Sequence, residues 1–252
     1  MQNVLLAWFS VNGTTTAIAE RIAAGLAKAG CAVTPIRIGK EKPPDLAAFD
    51  TVGIGTPTYV FRPPFVVTDF LRSLPDLTGK QSFAFVLHGT DRGACANQVR
   101  KTLARKHARD LGLYHSFGSD LFNGYLRRGV LFSPDTPRAQ DLDAAERFGT
   151  SLAERGPGGA RVPEPMDGPT HLIYAIERLS ASRALTGLLW SRAFHADERC
   201  DNCGVCIAAC PMHNITAQKD ARPRWETHCL LGERDGIPFV RVTHSGGVTR
   251  RL

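Results

Sequence analysis

The sequence predicts an α/β chain in which a doubly wound parallel sheet is followed by a small, cysteine-bearing α+β module. Three observations lead to this expectation. Residues 1–155 alternate short apolar runs with stretches of helical periodicity, residues 155–170 are rich in Gly and Pro, and four of the seven cysteines lie between Cys200 and Cys210. Apolar runs too short for helices, separated by amphipathic stretches, suit parallel strands covered on both faces. Such alternation implies right-handed crossovers.

The elements follow in order. "VLLAWFS" (4–10) reads as a buried strand, and "TTTAIAERIAAGLAKAG" (14–30) as an alanine-rich helix closed by Gly30. "CAVTPIRI" (31–38) is a second strand, joined through the proline-containing loop "GKEKPPD" to a third, "TVGIGTPTY" (51–59). A helix at 64–74, the strand "SFAFVLHGT" (82–90), a helix over 94–111, a strand near 114–122 and a helix within 137–155 complete the first domain. Residues 156–192 form a linker and a connecting helix that carries Leu172, Ile176, Leu179 and Leu185. Residues 193–252 form the module, irregular after 231.

Composition narrows the function classes. Hydrophobic residues at 43% and charged residues at 22% are ordinary for a globular protein. An odd cysteine count, concentrated in one segment, is not a disulfide framework. No signal-like segment opens the chain and no apolar run could span a bilayer, so a reducing, cytoplasmic setting is expected. The net charge is +7, yet the basic residues are interspersed with acidic ones and form no aromatic-interleaved stripe, which argues against nucleic acid. The densest basic stretch, residues 99–109, suits the solvated face of a helix and is compatible with an acidic redox partner. No Ser-His-Asp arrangement is credible, and no catalytic residue is expected.

"FSVNGTTTAIAERI" places a hydroxyl- and Gly-rich turn between a strand and a helix, where backbone N–H groups and the helix dipole can hold a phosphate. No Lys follows Gly13 as in a Walker A loop, and no G-x-G-x-x-G is present, which disfavours nucleoside triphosphates and dinucleotides. The loop Ser10, Val11, Asn12, Gly13, Thr14, Thr15 resembles the phosphate loop of flavodoxins, with Asn12 and Thr14 departing from the commonest residues there. That resemblance implies bound FMN. It also assigns the isoalloxazine loops to residues 55–64, with Pro57, Thr58 and Tyr59, and to residues 88–97, with Gly89, Thr90 and Gly93. Tyr59 is the expected ring-stacking residue. His88 sits beside the second of these loops, where a packed or solvated role is the plainer reading, and Cys31 and Cys95 read as core or loop thiols.

The spacing of Cys200, Cys203, Cys206 and Cys210, with Pro211 next, is C-x2-C-x2-C-x3-C-P. It is the spacing of bacterial ferredoxins and points to a [4Fe-4S] cluster, with zinc as the alternative. A flavodoxin-type domain followed by this motif resembles the EFR1 family of ferrodoxins, the flavodoxin–ferredoxin fusions. The resemblance implies that Cys200, Cys203 and Cys206 bind one cluster while Cys210 serves a second. The pattern then breaks, because only Cys229 follows. Three accounts remain open: a single cluster completed by Cys210, Cys229, His213 or His228; a tail diverged or frameshifted after Leu231; or a loop holding zinc or no metal. The expected function is electron transfer between a cluster and FMN. Reduction of a small acceptor such as a quinone, or a non-redox module, are the alternatives.

Overall fold

The computed structural model describes residues 2–39, 41, 43–120, 129–155, 172, 176, 179, 182–185, 196, 200–210, 214–219 and 221–226. Two compact units emerge: Met1–Asp120 with Leu131–His171, and Leu121–Val130 with Leu172–Leu252.

The first unit is built on five parallel strands: β1 (Asn3–Trp8), β2 (Ala32–Arg37), β3 (Thr51–Pro57), β4 (Gln81–His88) and β5 (Arg109–Phe117), in the order β2-β1-β3-β4-β5. The apolar runs become strands because both of their faces are covered. β1 is buried along all but its first residue, and β3 and β4 along all but their last. Pro35 lies in β2, an edge strand, where a missing N–H costs no ladder bond on the open side.

Among the described residues four helices flank the sheet: α1 (Thr14–Lys28), α2 (Phe65–Ser73), α3 (Cys95–Arg105) and α4 (Ala139–Glu154). α1 and α4 lie together on one side, where Ile18, Ile22, Leu26 and Leu152 join Val4, Leu6, Phe83 and Phe85 in a single core. The two helices approach closely because Gly25 and Gly149 face the partner backbone; a Cβ on Gly25 would collide with Glu146 O, and one on Gly149 with Ile22 O. α2 and α3 pack on one another, α3 also on β4 and β5, as the other layer. The β2–β3 connection has no full helix, only a 3-10 turn at Leu46–Ala48 capped by Asp45.

Two boundaries differ from the sequence reading. The third helix stops at Arg105 instead of continuing to 111, and the fifth strand spans Arg109–Phe117 instead of lying near 114–122. The cause is a Schellman cap. His107 adopts φ +67° and donates to Ala104 O, while Ala108 N–H reaches back to Leu103 O at 3.1 Å. Asp76 Oδ2 holds His107 Nδ1 at 2.5 Å, and Leu77 N–H bonds Lys106 O at 2.7 Å, so the turn is pinned from outside the helix. Pairing of Gln81 with Arg109 then starts β5 at once.

In the second unit, α5 (Val205–Ala209) is followed by an antiparallel hairpin, β6 (Ile215–Gln218) and β7 (Ala221–Trp225), with Ile215 opposite Trp225. Residues 183–185 form one helical turn, and Leu172, Ile176 and Leu179, helical as expected, are exposed. Among the described residues no helix is long and apolar enough to cross a membrane.

Candidate functional site

The order β2-β1-β3-β4-β5 reverses at β1: the chain adds β2 on one side and returns to add β3 on the other. At such a switch point the loops leaving the carboxyl ends of the strands diverge and open a crevice. The sequence-predicted loops leave β1, β3 and β4, three neighbouring strands, at that edge.

The first loop is shaped by its own side chains. Phe9 N–H bonds Gly55 O at 3.1 Å, prolonging the β1–β3 pairing, and Ser10 is buried at the turn. Ser10 Oγ accepts from Gly13 N–H at 3.1 Å, and Asn12 Oδ1 accepts from both the N–H (3.1 Å) and the hydroxyl (2.7 Å) of Thr14. Gly13 takes φ +90°, a conformation open to a residue without a Cβ, and nothing lies within 4 Å of where that Cβ would stand. Val11 is half-buried; Thr15, buried at 1% exposure, has a hydroxyl with no partner. The first turn of α1 carries no acidic residue, so no carboxylate there offsets the positive end of the helix dipole.

The second and third loops meet. Thr58 N–H bonds Leu87 O at 2.7 Å, joining the loop after β3 to β4, while the buried Thr58 hydroxyl has no partner. Tyr59 and Arg62 pair across a two-residue hairpin whose tip, Val60 and Phe61, is left-handed at φ +47° and +61°. Such a turn usually carries Asn-Gly, and a β-branched residue there is strained. Gly93, itself at φ +51°, lies under Phe61 so closely that any Cβ would strike the Phe61 backbone, and Ala94 N–H bonds Phe61 O at 3.1 Å. The Cys95 thiol, fully buried, lies 3.8 Å from Pro57 O. Gly89 is pressed against Asp120, and its carbonyl accepts from the Ser133 hydroxyl; Thr90 is exposed. His88 packs on Phe117 at 4.7 Å and edge-on to His115 at 6.3 Å, and Cys31 is a core residue.

The cysteine loop lies in the second unit. Cys203 is exposed, Cys200 and Cys206 are partly covered and Cys210 is buried, and all four are free thiols. Asn202 (φ +57°) and Gly204 (φ +75°) turn the chain between Cys200 and Cys206, and Asp201 Oδ1 accepts from Cys203 N–H at 3.1 Å. Burial raises the Cys206 thiol above its ordinary pKa, and the nearby Cys200 and Cys203 raise it further. Cys210 ends α5, and its sulfur accepts Asn214 N–H at 3.3 Å. Among the described residues no three His, Cys, Asp or Glu side chains gather closely enough to hold a metal ion. Cys229, His213 and His228 lie outside the described residues.

Residues 5–127, a little under half of the chain, match the family described as Flavodoxin domain. This stretch is a flavodoxin-like domain. Similar solved structures include a flavodoxin from the domain Archaea (18% identity, 61% of this chain and 98% of that chain, TM-score 0.48). Flavodoxin 2 from Bacillus cereus (20% identity, 61% and 99%, TM-score 0.48) and two-electron reduced Megasphaera elsdenii flavodoxin (21% identity, 60% and 98%, TM-score 0.46) are similar as well. No curated protein matches the chain.

The flavodoxin-like domain also brings a residue to the first loop that the sequence reading passed over. Arg37, last in β2 and paired in register with Trp8, donates from Nη2 to Ser10 O at 2.8 Å and from Nη1 to Thr16 Oγ1 at 2.9 Å. Its guanidinium lies over the Trp8 ring, 5.5 Å from the centroid, and the Trp8 indole N–H bonds the same Thr16 oxygen. The signal available in the sequence was a lone Arg at a strand end; only parallel pairing of β2 with β1 gives it meaning.

Proposed function

We propose that the chain is an FMN-dependent electron carrier whose cysteine module exchanges electrons with the flavin through a [4Fe-4S] cluster, the organisation of the EFR1 ferrodoxins. The observation that supports FMN most is the first loop. A left-handed Gly13, a helix amino terminus with no acidic residue in its first turn and the orphaned Thr15 hydroxyl form a ready cradle for a phosphate at the switch point. Ser10, Val11, Asn12, Gly13, Thr14 and Thr15 would hold the phosphate. Pro57, Thr58, Tyr59, Gly89, Thr90 and Gly93 would border the ring, with the unpartnered Thr58 hydroxyl available to it. When bound, FMN would supply two-electron capacity exercised in single-electron steps.

For the cluster, the support is the C-x2-C-x2-C-x3-C-P spacing of Cys200, Cys203, Cys206 and Cys210. The N–H···S bond to Cys210 is of the kind that tunes cluster sulfurs. Cys210 or Cys229 would complete the ligand set. A reducing, cytoplasmic location suits free thiols, and the net charge of +7 suits a partner with an acidic surface.

The test is anaerobic purification of the full chain, followed by flavin extraction and assay of iron, zinc and acid-labile sulfide. FMN with iron and sulfide is the expected result. Flavin without iron would reduce the protein to a flavin carrier, zinc would replace the cluster by a structural site, and absence of all three would end the proposal.

A further inference from the structure

We infer that Arg37 is the outer cation of the phosphate cradle, the residue that makes this site prefer a phosphorylated flavin to its unphosphorylated parent. The inference rests on the FMN reading above. Arg37 is half-buried, and no carboxylate among the described residues pairs with its guanidinium; Glu41 takes the Arg37 backbone N–H instead, at 2.8 Å. Its Nε is buried with no acceptor. The guanidinium therefore stands in a partly desolvated place without a carboxylate partner, beside a helix amino terminus that carries no acidic residue in its first turn. The Ser10 carbonyl, the Thr16 hydroxyl and the face of Trp8 offset the guanidinium in part, but among the described residues no anionic group faces it or the start of α1. A phosphate dianion seated on Gly13 and the start of α1 would compensate both.

The hydrogen bonds assign a second part of the role. A cradle of N–H groups must turn its carbonyls away from the anion, and Arg37 holds the Ser10 carbonyl in its own grip through Nη2. Through Nη1 it also fixes Thr16, one residue after the orphaned Thr15 hydroxyl. Arg37 is thus a positioning residue as well as a charge. A purely structural brace would serve any flavin equally; an outer cation serves only the phosphorylated one.

The full chain, stripped of flavin, is titrated with FMN and with riboflavin by fluorescence quenching, at low and at moderate salt. In Arg37→Gln the affinity for FMN falls roughly ten- to hundredfold, the size expected for a lost hydrogen-bonded charge, while that for riboflavin is unchanged. The salt dependence of FMN binding becomes shallower. Arg37→Lys, which keeps the charge but not the two-pronged hydrogen bonding, recovers part of the FMN affinity. Equal losses for both flavins, or FMN binding indifferent to Arg37→Gln, would overturn the inference and leave the FMN reading standing. A wild-type chain that binds neither flavin would overturn both.

Discussion

His115 shows how a single side chain of the first unit responds to its surroundings. It lies in β5, edge-on to His88, and its pKa is lowered from 6.5 to about 4, first by burial and then by Arg92 and Arg100. The unfolded chain therefore binds a proton near pH 6.5 that the folded chain refuses until about pH 4. Between those limits the unfolded state holds more protons, so stability falls as pH falls and levels off below about 4. Allowing for solvent screening, the loss is about 1–2 kcal/mol. Urea unfolding at intervals between pH 7 and 4 should show this descent in the wild type and a shallower one in His115→Gln, whose side chain does not titrate; parallel curves would mean that His115 is protonated alike in both states. None of this was legible beforehand. The sequence placed a histidine near a strand, but burial and two arginines brought close by β4, α3 and β5 decide its behaviour.

Elements were more legible than their ends. The closing Gly30 of α1 announced itself, because only glycine takes φ +82° without strain, and the same Schellman geometry ends α3 at His107, where no glycine marks it. Tertiary contacts with Asp76 and Leu77 make that second stop, which is why the sequence ran the helix too far. The pairing of α1 with α4 was equally hidden, since Gly25 and Gly149 read as poor helix formers until the helices are seen to meet there. Glu146 secures the same contact from outside, accepting from Arg21 at 3.1 Å and from Lys28. Gly149→Leu should therefore force the helices apart and lower the unfolding free energy by roughly 2–3 kcal/mol, the cost of overpacking a close-packed contact. Gly149→Ala should cost less but still lower it, despite the better helix propensity of alanine. A gain in the urea midpoint for the alanine variant would mean that the helices leave room for a Cβ at Gly149.

At the scale of the molecule, the parallel sheet was readable from alternation, because strands buried on both faces leave continuous apolar runs, while the order β2-β1-β3-β4-β5 was not, since alternation does not say on which side each strand is added. The cysteine spacing was equally readable, while the ligand that completes it was not, since no second motif follows and a spacing cannot say which sulfur closes a set. On the proposed reading, the two units divide the labour. Every residue proposed to hold FMN belongs to Met1–Asp120, and every described cysteine proposed as a cluster ligand belongs to Leu172–Leu252. The first unit has a core of its own around β1, α1, β4 and α4, and none of Cys200, Cys203, Cys206 and Cys210 belongs to it. Cofactor loading should therefore be separable. Replacing Cys200, Cys203 and Cys206 together by Ala should abolish bound iron while FMN stoichiometry and affinity stay as in the wild type. Gly13→Val should do the reverse, because a β-branched residue at φ +90° distorts the loop after β1, the proposed phosphate site, at a cost of roughly 1–3 kcal/mol and leaves the cysteines untouched. Iron assay and flavin extraction on the same anaerobic samples read both effects at once. If the cysteine variant lost its flavin together with its iron, loading of the two proposed sites would be coupled and this prediction would fail.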